Sequence, residues 1–111
     1  MAADSPEFDP LLDEAPSRYV VGIDLGTTNS AVAYVDTREN PWRIRILSIP
    51  QLVAHGEVEA RETLPSFHYC GTHREAESGA LRLPWDEANP DYAVGFFARD
   101  EGAKAPGRLI A

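Results

Sequence analysis

The sequence predicts a mixed α/β fold that opens on a β-meander and continues to a short helix. Three observations carry that prediction. Tyr19–Leu25 and Ala31–Val35 are two nearly continuous apolar runs joined by the short polar link Gly26-Thr27-Thr28-Asn29. Arg43-Ile44-Arg45-Ile46-Leu47 alternates charged and apolar residues. Gly95–Lys104 sets Phe96, Phe97 and Ala98 before Arg99, Asp100 and Glu101, a helix-sized segment that stops at Pro106-Gly107. With 111 residues there is room for one small core but not for two lobes.

Composition narrows the class of partner. The net charge of −8 leaves no Lys/Arg cluster for nucleic acid or for anionic lipid. Cys70 is the only cysteine, which excludes an internal disulfide and a cysteine-rich zinc site. No basic-then-apolar leader and no apolar run of membrane-spanning length is present, so a cytoplasmic location is the expectation.

Residues 1–17 hold Pro6, Pro10 and Pro16 among acids and few apolar residues, and are expected to form a solvated acidic tail. Phe8, Leu11 and Leu12 are its only candidates for a docking peptide. Residues 18–111 form the second unit. Tyr19–Leu25 reads as a central strand covered on both faces, and Ala31–Val35 as its neighbour across a hairpin. Asn40-Pro41 marks the next turn, and the Arg43–Leu47 alternation a strand nearer an edge. Ser48–Thr63, with Pro50, Gly56 and three glutamates, reads as a loop with one apolar contact at Leu52-Val53. Leu64–Cys70 reads as a single strand that starts at Pro65. Gly71–Pro90 is turn-rich and expected on the surface, and Tyr92–Val94 is a further short strand. Trp42 and Trp85, at loop edges, are expected to plug packing gaps, and Cys70 to sit half-buried at a strand end.

The link after Leu25 has the residue types that a phosphate chain needs. Gly26 has no side chain, so a phosphate could approach the backbone and φ would be unrestricted. Successive amides in such a turn form an anion-binding nest. Thr27, Thr28 and Asn29 add side-chain donors. Asp24 looks misplaced, since two like charges ~4 Å apart repel by roughly 4 kcal/mol at an effective dielectric near 20. A hard cation between them removes the conflict. Mg²⁺ characteristically binds one or two carboxylates, substrate phosphates and several waters. Asp24 is therefore the candidate metal-side carboxylate, acting through water. The bland alternative is a plain Asp-x-Gly turn at a strand end. A Gly-Lys-Ser/Thr phosphate loop, a dinucleotide glycine fingerprint and a nucleophile elbow are absent. His55, His68 and His73 lack metal-ligand spacing on a helix.

Over Val21–Asp36 the sequence resembles the first phosphate-binding hairpin of the actin-like ATPases, closest in wording to the heat-shock protein 70 (DnaK-type) chaperones. Leu64-Pro65-Ser66 is similar to that family's Thr-Pro-Ser segment, and Val94-Gly95-Phe96-Phe97-Ala98 to its Val-Gly-x-x-Ala step into a helix. Glu62 and Leu64 depart from the family's Arg and Thr, and Gly71–Pro90 is longer than its usual connection, as in a diverged, bacterial branch. The resemblance implies part of a ribonuclease H-like (actin-like ATPase) fold that binds ATP or ADP with Mg²⁺. Gly26, Thr27, Thr28 and Asn29 would then contact the phosphates, and Asp24 would face the metal. In the family, hydrolysis is coupled to a separate domain that holds unfolded polypeptide clients, assisted by co-chaperones. By the same resemblance the chain would break off in mid-domain, with the family's catalytic lysine falling just past Ala111; Lys104 is the nearest lysine present, but its surroundings do not match. No catalytic residue is therefore assigned, and these residues alone are not expected to hydrolyse ATP. A sugar or metabolite kinase, a filament-forming actin-like protein and a nucleotide-free interaction module are the rival readings. Uncovered strand faces are the structural expectation for such a piece.

Overall fold

The computed structural model of the chain describes residues 17–111, so the acidic tail, Ser17 excepted, and its Phe8, Leu11 and Leu12 lie outside the described residues. Among the described residues nine strands and two α-helices follow one another: β1 (Tyr19–Leu25), β2 (Asn29–Asp36), β3 (Ile44–Leu47), β4 (Ile49–Ala54), β5 (Glu57–Arg61), β6 (Leu64–Pro65), β7 (His68–Cys70), α1 (His73–Ser78), β8 (Tyr92–Val94), α2 (Phe96–Lys104) and β9 (Leu109–Ile110). A single 3-10 turn at Pro106–Arg108 connects the last two. Every strand pairing among the described residues is antiparallel, and the strands fall into small sheets. The architecture is mixed α/β.

The first sheet is the expected meander β1-β2-β3, with β6 joining β2 beyond the end of β3. Its register runs from Tyr19 opposite Asp36 to Leu25 opposite Ser30. Directly opposed residues share a face. One face therefore carries Tyr19, Val21, Ile23 and Leu25 with Val32, Tyr34 and Leu47, and the other Val20 and Gly22 with Ala33, Val35, Ile44 and Ile46. The expectation of a covered central strand fails for β1. It is an outer strand, exposed along its length, with Ile23 64% and Leu25 81% accessible. Its unbroken apolar run fits burial on both faces, yet nothing among the described residues lies over either one.

The core lies beyond the meander, from β4 onward. Leu52, Tyr69, Leu81, Ala93, Phe97 and Ala98 are buried together, with Phe67 and Leu83 packed against them. β7 is the middle strand of the sheet β8-β7-β9, and α2 packs on β7 and on β4. Three segments differ from the sequence expectation. The loop expected over Ser48–Thr63 is a hairpin, β4-β5, turning at His55-Gly56, where Gly56 has φ of 73°. The alternation Glu57-Val58-Glu59-Ala60-Arg61 is a period-two strand pattern whose acids masked it. The single strand expected over Leu64–Cys70 breaks at Ser66-Phe67, so that β6 joins the first sheet and β7 the third. The surface excursion expected over Gly71–Pro90 contains α1 and sends Leu81, 1% exposed, into the core.

Two polar anchors hold this core. Gln51, 2% exposed, donates from Nε2 to the Thr63 carbonyl (2.9 Å) and accepts the Phe96 amide on Oε1 (2.9 Å). It thereby serves the first amide of α2, whose preceding residue, Gly95, has no side chain to cap with. Gly95 itself has φ of 85°, and a Cβ there would stand 2.5 Å from Leu64 Cδ1 and 2.6 Å from Gln51 Oε1. The second anchor is Glu75. It forms a capping box with Thr72, accepting the Thr72 amide at 2.9 Å while Thr72 Oγ1 accepts the Glu75 amide at 3.1 Å. Its carboxylate also accepts from Tyr69 Oη and pairs with His55 Nε2, each at 2.7 Å. Burial opposes ionisation of Glu75, but the bonds from Thr72, His55 and Tyr69 outweigh it and hold the carboxyl at about 2. Burial first, and then the bond to Glu75, push the Tyr69 phenol up to about 12.

Because the folded-state value of Glu75 lies below the ordinary 4.5, its stabilisation is complete above pH ~4.5 and is lost as pH falls toward 2. Glu75→Gln should lower stability at neutral pH by about 1–3 kcal/mol and flatten the loss between those pH values. Urea unfolding of both proteins across that range checks this; parallel pH curves would show that Glu75 is not the acid-sensitive group.

Candidate functional site

The link between β1 and β2 is where the sequence reading expects phosphate contact, and its geometry rests on backbone contacts. The Gly26 amide donates to the Asn29 carbonyl at 3.1 Å and closes the link. A Cβ on Gly26 would lie 2.3 Å from that oxygen, so the glycine is required by close backbone approach. Its φ is not positive, so the turn does not use the freedom of φ that the sequence reading noted there. Its amide is also committed to the turn and is not available to an anion. The amides of Thr27 and Thr28 make no backbone hydrogen bond among the described residues, and both residues are exposed. Thr27, Thr28 and Asn29 also keep their side chains unbonded within the described residues. The available donors are therefore those of Thr27, Thr28 and Asn29, with Gly26 as the pivot.

Ser66 fixes the link from the far side. Its hydroxyl donates to the Gly26 carbonyl (2.8 Å) and its amide to the Thr28 carbonyl (2.9 Å). These two bonds turn the carbonyls of the link toward β6, continuing the pairing of Asn29 with Pro65. The sequence flagged Ser66 as part of a landmark, but nothing in it connects residues forty positions apart.

Asp24 stands two residues before Gly26, opposite Ala31 in the ladder. Gly22, Ala31 and Ala33 share its face, so the carboxylate rises over small side chains. It is exposed and has no ion-pair or hydrogen-bond partner among the described residues. The other aspartate of the hairpin, Asp36, is the contrast. Arg18 grips it with two bonds at 3.2 and 3.0 Å, which, with the Arg38 amide, hold its carboxyl below the usual range. One end of the hairpin is thus neutralised internally, while Asp24, two residues before Gly26, has no counter-charge among the described residues. No cluster of three or more His, Cys, Asp or Glu side chains able to hold a metal occurs among the described residues. A single carboxylate acting through water, as expected of Asp24, requires no such cluster.

The remaining sequence candidates are dispersed. Lys104 lies in the last turn of α2, 3.4 Å from Glu101. Cys70 is exposed at the end of β7 instead of half-buried. Trp42 and Trp85 are 64% and 58% exposed, so neither plugs a packing gap; Trp42 Nε1 donates to the Thr37 carbonyl at 3.2 Å. Trp85 lines a mostly apolar cleft of about 240 Å³ with Pro50, Leu64, Leu83 and Tyr92, which sequence reading did not anticipate. Among the described residues no helix is long and apolar enough to cross a membrane. The chain matches no protein-family model, no curated protein and no solved structure.

Ser66→Ala should destabilise the link by about 1 kcal/mol and speed hydrogen exchange of the Ser30 and Leu64 amides. Gly26→Ala, which drives a methyl into the Asn29 carbonyl, should cost more. Equal, negligible effects from both would show that the link is not held in this way.

Proposed function

We propose that residues 18–111 carry the first phosphate-binding hairpin of an Hsp70-like ATPase of the actin-like (ribonuclease H-like) fold. The single observation that supports this most is the Ser66-pinned link, whose Thr27 and Thr28 amides make no backbone bond among the described residues, with the unpaired Asp24 two residues before Gly26. In this reading the Thr27, Thr28 and Asn29 donors hold phosphate oxygens of ATP or ADP. Asp24 holds the waters of Mg²⁺, and the cation cancels the repulsion between carboxylate and phosphate. Preorganised donors of this kind stabilise charge that develops during phosphoryl transfer. The proposal for these residues is phosphate contact, and none of them is assigned a catalytic role. Chaperone action on unfolded polypeptides, with co-chaperones, belongs to the same proposal and is cytoplasmic within it.

Calorimetric titration of the protein with ATP, with and without Mg²⁺, tests the reading. Weak, magnesium-dependent binding is expected, and Asp24→Asn should reduce affinity about tenfold, or roughly 1.4 kcal/mol, only when Mg²⁺ is present. No heat at millimolar nucleotide, or equal binding by Asp24→Asn in Mg²⁺, would contradict it and favour the nucleotide-free interaction module.

A further inference from the structure

The segment that clamps the β1-β2 link is itself suspended from the start of α2, and we propose that Gln51 and Gly95 are positioning residues of the phosphate site that couple it to that helix. Regulation of phosphate contact through α2 rests on the phosphate reading of the link, whereas the coupling of the two elements rests on contacts alone. Ser66 holds the Gly26 and Thr28 carbonyls, yet its own strand is short. β6 pairs Leu64 with Ser30 and Pro65 with Asn29, and makes no further strand pairing among the described residues. Both flanks of the segment are tied to the first residues of α2. After Ser66, the Phe67 carbonyl accepts the Gly95 amide at 3.2 Å. Before Leu64, the Thr63 carbonyl accepts from Gln51 Nε2 at 2.9 Å, while Gln51 Oε1 accepts from the Phe96 amide at 2.9 Å.

The Gln51 bridge is stiff. Its side chain is 2% exposed, and Nε2 also reaches the Ile49 carbonyl at 3.3 Å, so the amide is bonded at both ends within the core. A buried amide of this kind is costly to leave without partners, which fixes its geometry. Gly95 leaves no slack on the other side, because even a Cβ there would collide with Leu64 and Gln51. Arg61 of β5 lies over the Phe96 ring, 4.0 Å from its centre, and binds the first residue of α2 to the hairpin that carries Gln51.

Displacing the start of α2 therefore displaces both ends of the segment 63–67, and with them the two carbonyls that Ser66 holds. In the reverse direction, a phosphate drawing on the Thr27 and Thr28 amides pulls on Ser66 and is felt at the Phe96 amide. Coupling at equilibrium has to run both ways. The two arms divide within one side chain: the Gln51 acceptor serves α2 and its donor serves the segment before Ser66. The other buried anchor, Glu75, supplies an internal control. It bonds to Thr72, Tyr69 and His55, and to none of residues 63–67 or the start of α2 among the described residues.

Hydrogen exchange and amide spectra at pH 8 test the coupling. Gln51→Met removes both arms, whereas Gln51→Glu keeps an acceptor for Phe96 and, ionised, offers Thr63 no donor. Without ligand, exchange of the Ser66 amide relative to that of Tyr69 should rise about tenfold in both variants and not in Glu75→Gln. With magnesium pyrophosphate, the Phe96 amide of the unmodified protein should shift together with those of Thr27 and Thr28. That Phe96 shift should fall about threefold in Gln51→Glu, although the helix keeps its cap, and persist in Glu75→Gln. An unchanged Ser66 ratio in Gln51→Glu, or a Phe96 shift that survives there in full, would overturn the coupling and leave the phosphate reading intact. No pyrophosphate shift at Thr27 and Thr28 would remove the phosphate reading, and the ligand-free exchange would still decide the coupling. If the Gln51 variants do not fold, the unmodified protein decides: the Ser66 and Phe96 amides should respond equally to urea, and unequal responses would contradict the coupling.

Discussion

The two hydrogen bonds from Ser66 to the β1-β2 link are the constraint on which the rest of the site depends. They hold the Gly26 and Thr28 carbonyls toward β6, so these two acceptors are satisfied internally while the Thr27 and Thr28 amides make no backbone bond among the described residues. Backbone donors without acceptors are stable only in water or against an anion. The same residue stands where β6 leaves the first sheet and the chain turns into β7, so the link is tied directly to the buried core around Tyr69 and Phe97. Position, polarity and rigidity of the link thus arise from one side chain and its amide.

The chain divides its apolar surface unevenly. Leu52, Leu81, Phe97 and their neighbours are buried, and the Gln51 and Glu75 networks leave no buried side-chain polar atom unsatisfied among the described residues. The β1-β2-β3 sheet instead presents Val20, Val21, Ile23, Leu25, Ile44 and Ile46 to solvent. Covering any one of these fully would contribute about 1.5–3 kcal/mol. A sheet apolar on both faces and joined to the core through β6 fits a part that acts in contact with other surfaces. That agrees with the proposed phosphate-binding hairpin within a larger nucleotide site.

How much of this was legible in the sequence depended on where the determining contact lay. The hairpin β1-β2, the alternating strand β3, β8 and α2 were readable because period, turn residues and terminating Pro106 are local. The β4-β5 hairpin was hidden because Glu57, Glu59 and Glu62 resemble loop composition, although Val58 and Ala60 keep a two-residue period between them. α1 was missed despite the Thr72-x-x-Glu75 capping box, a local signal that the surrounding turn residues obscured. The burial of Leu81 and the capping of α2 by Gln51 depend on contacts across forty-five positions in the Gln51 case, which no window of sequence contains. At the site, the residue types of Asp24 and Gly26–Asn29 were legible. The commitment of the Gly26 amide to the turn and the clamp from Ser66 were not.

The most direct measurement is the backbone amide spectrum of the protein during addition of magnesium pyrophosphate, a ligand with no base or sugar. The account predicts that the Thr27, Thr28 and Asn29 amides shift together while Gly26, already bonded to Asn29, moves least. Shifts confined to residues elsewhere, or none at the link at saturating pyrophosphate, would contradict it.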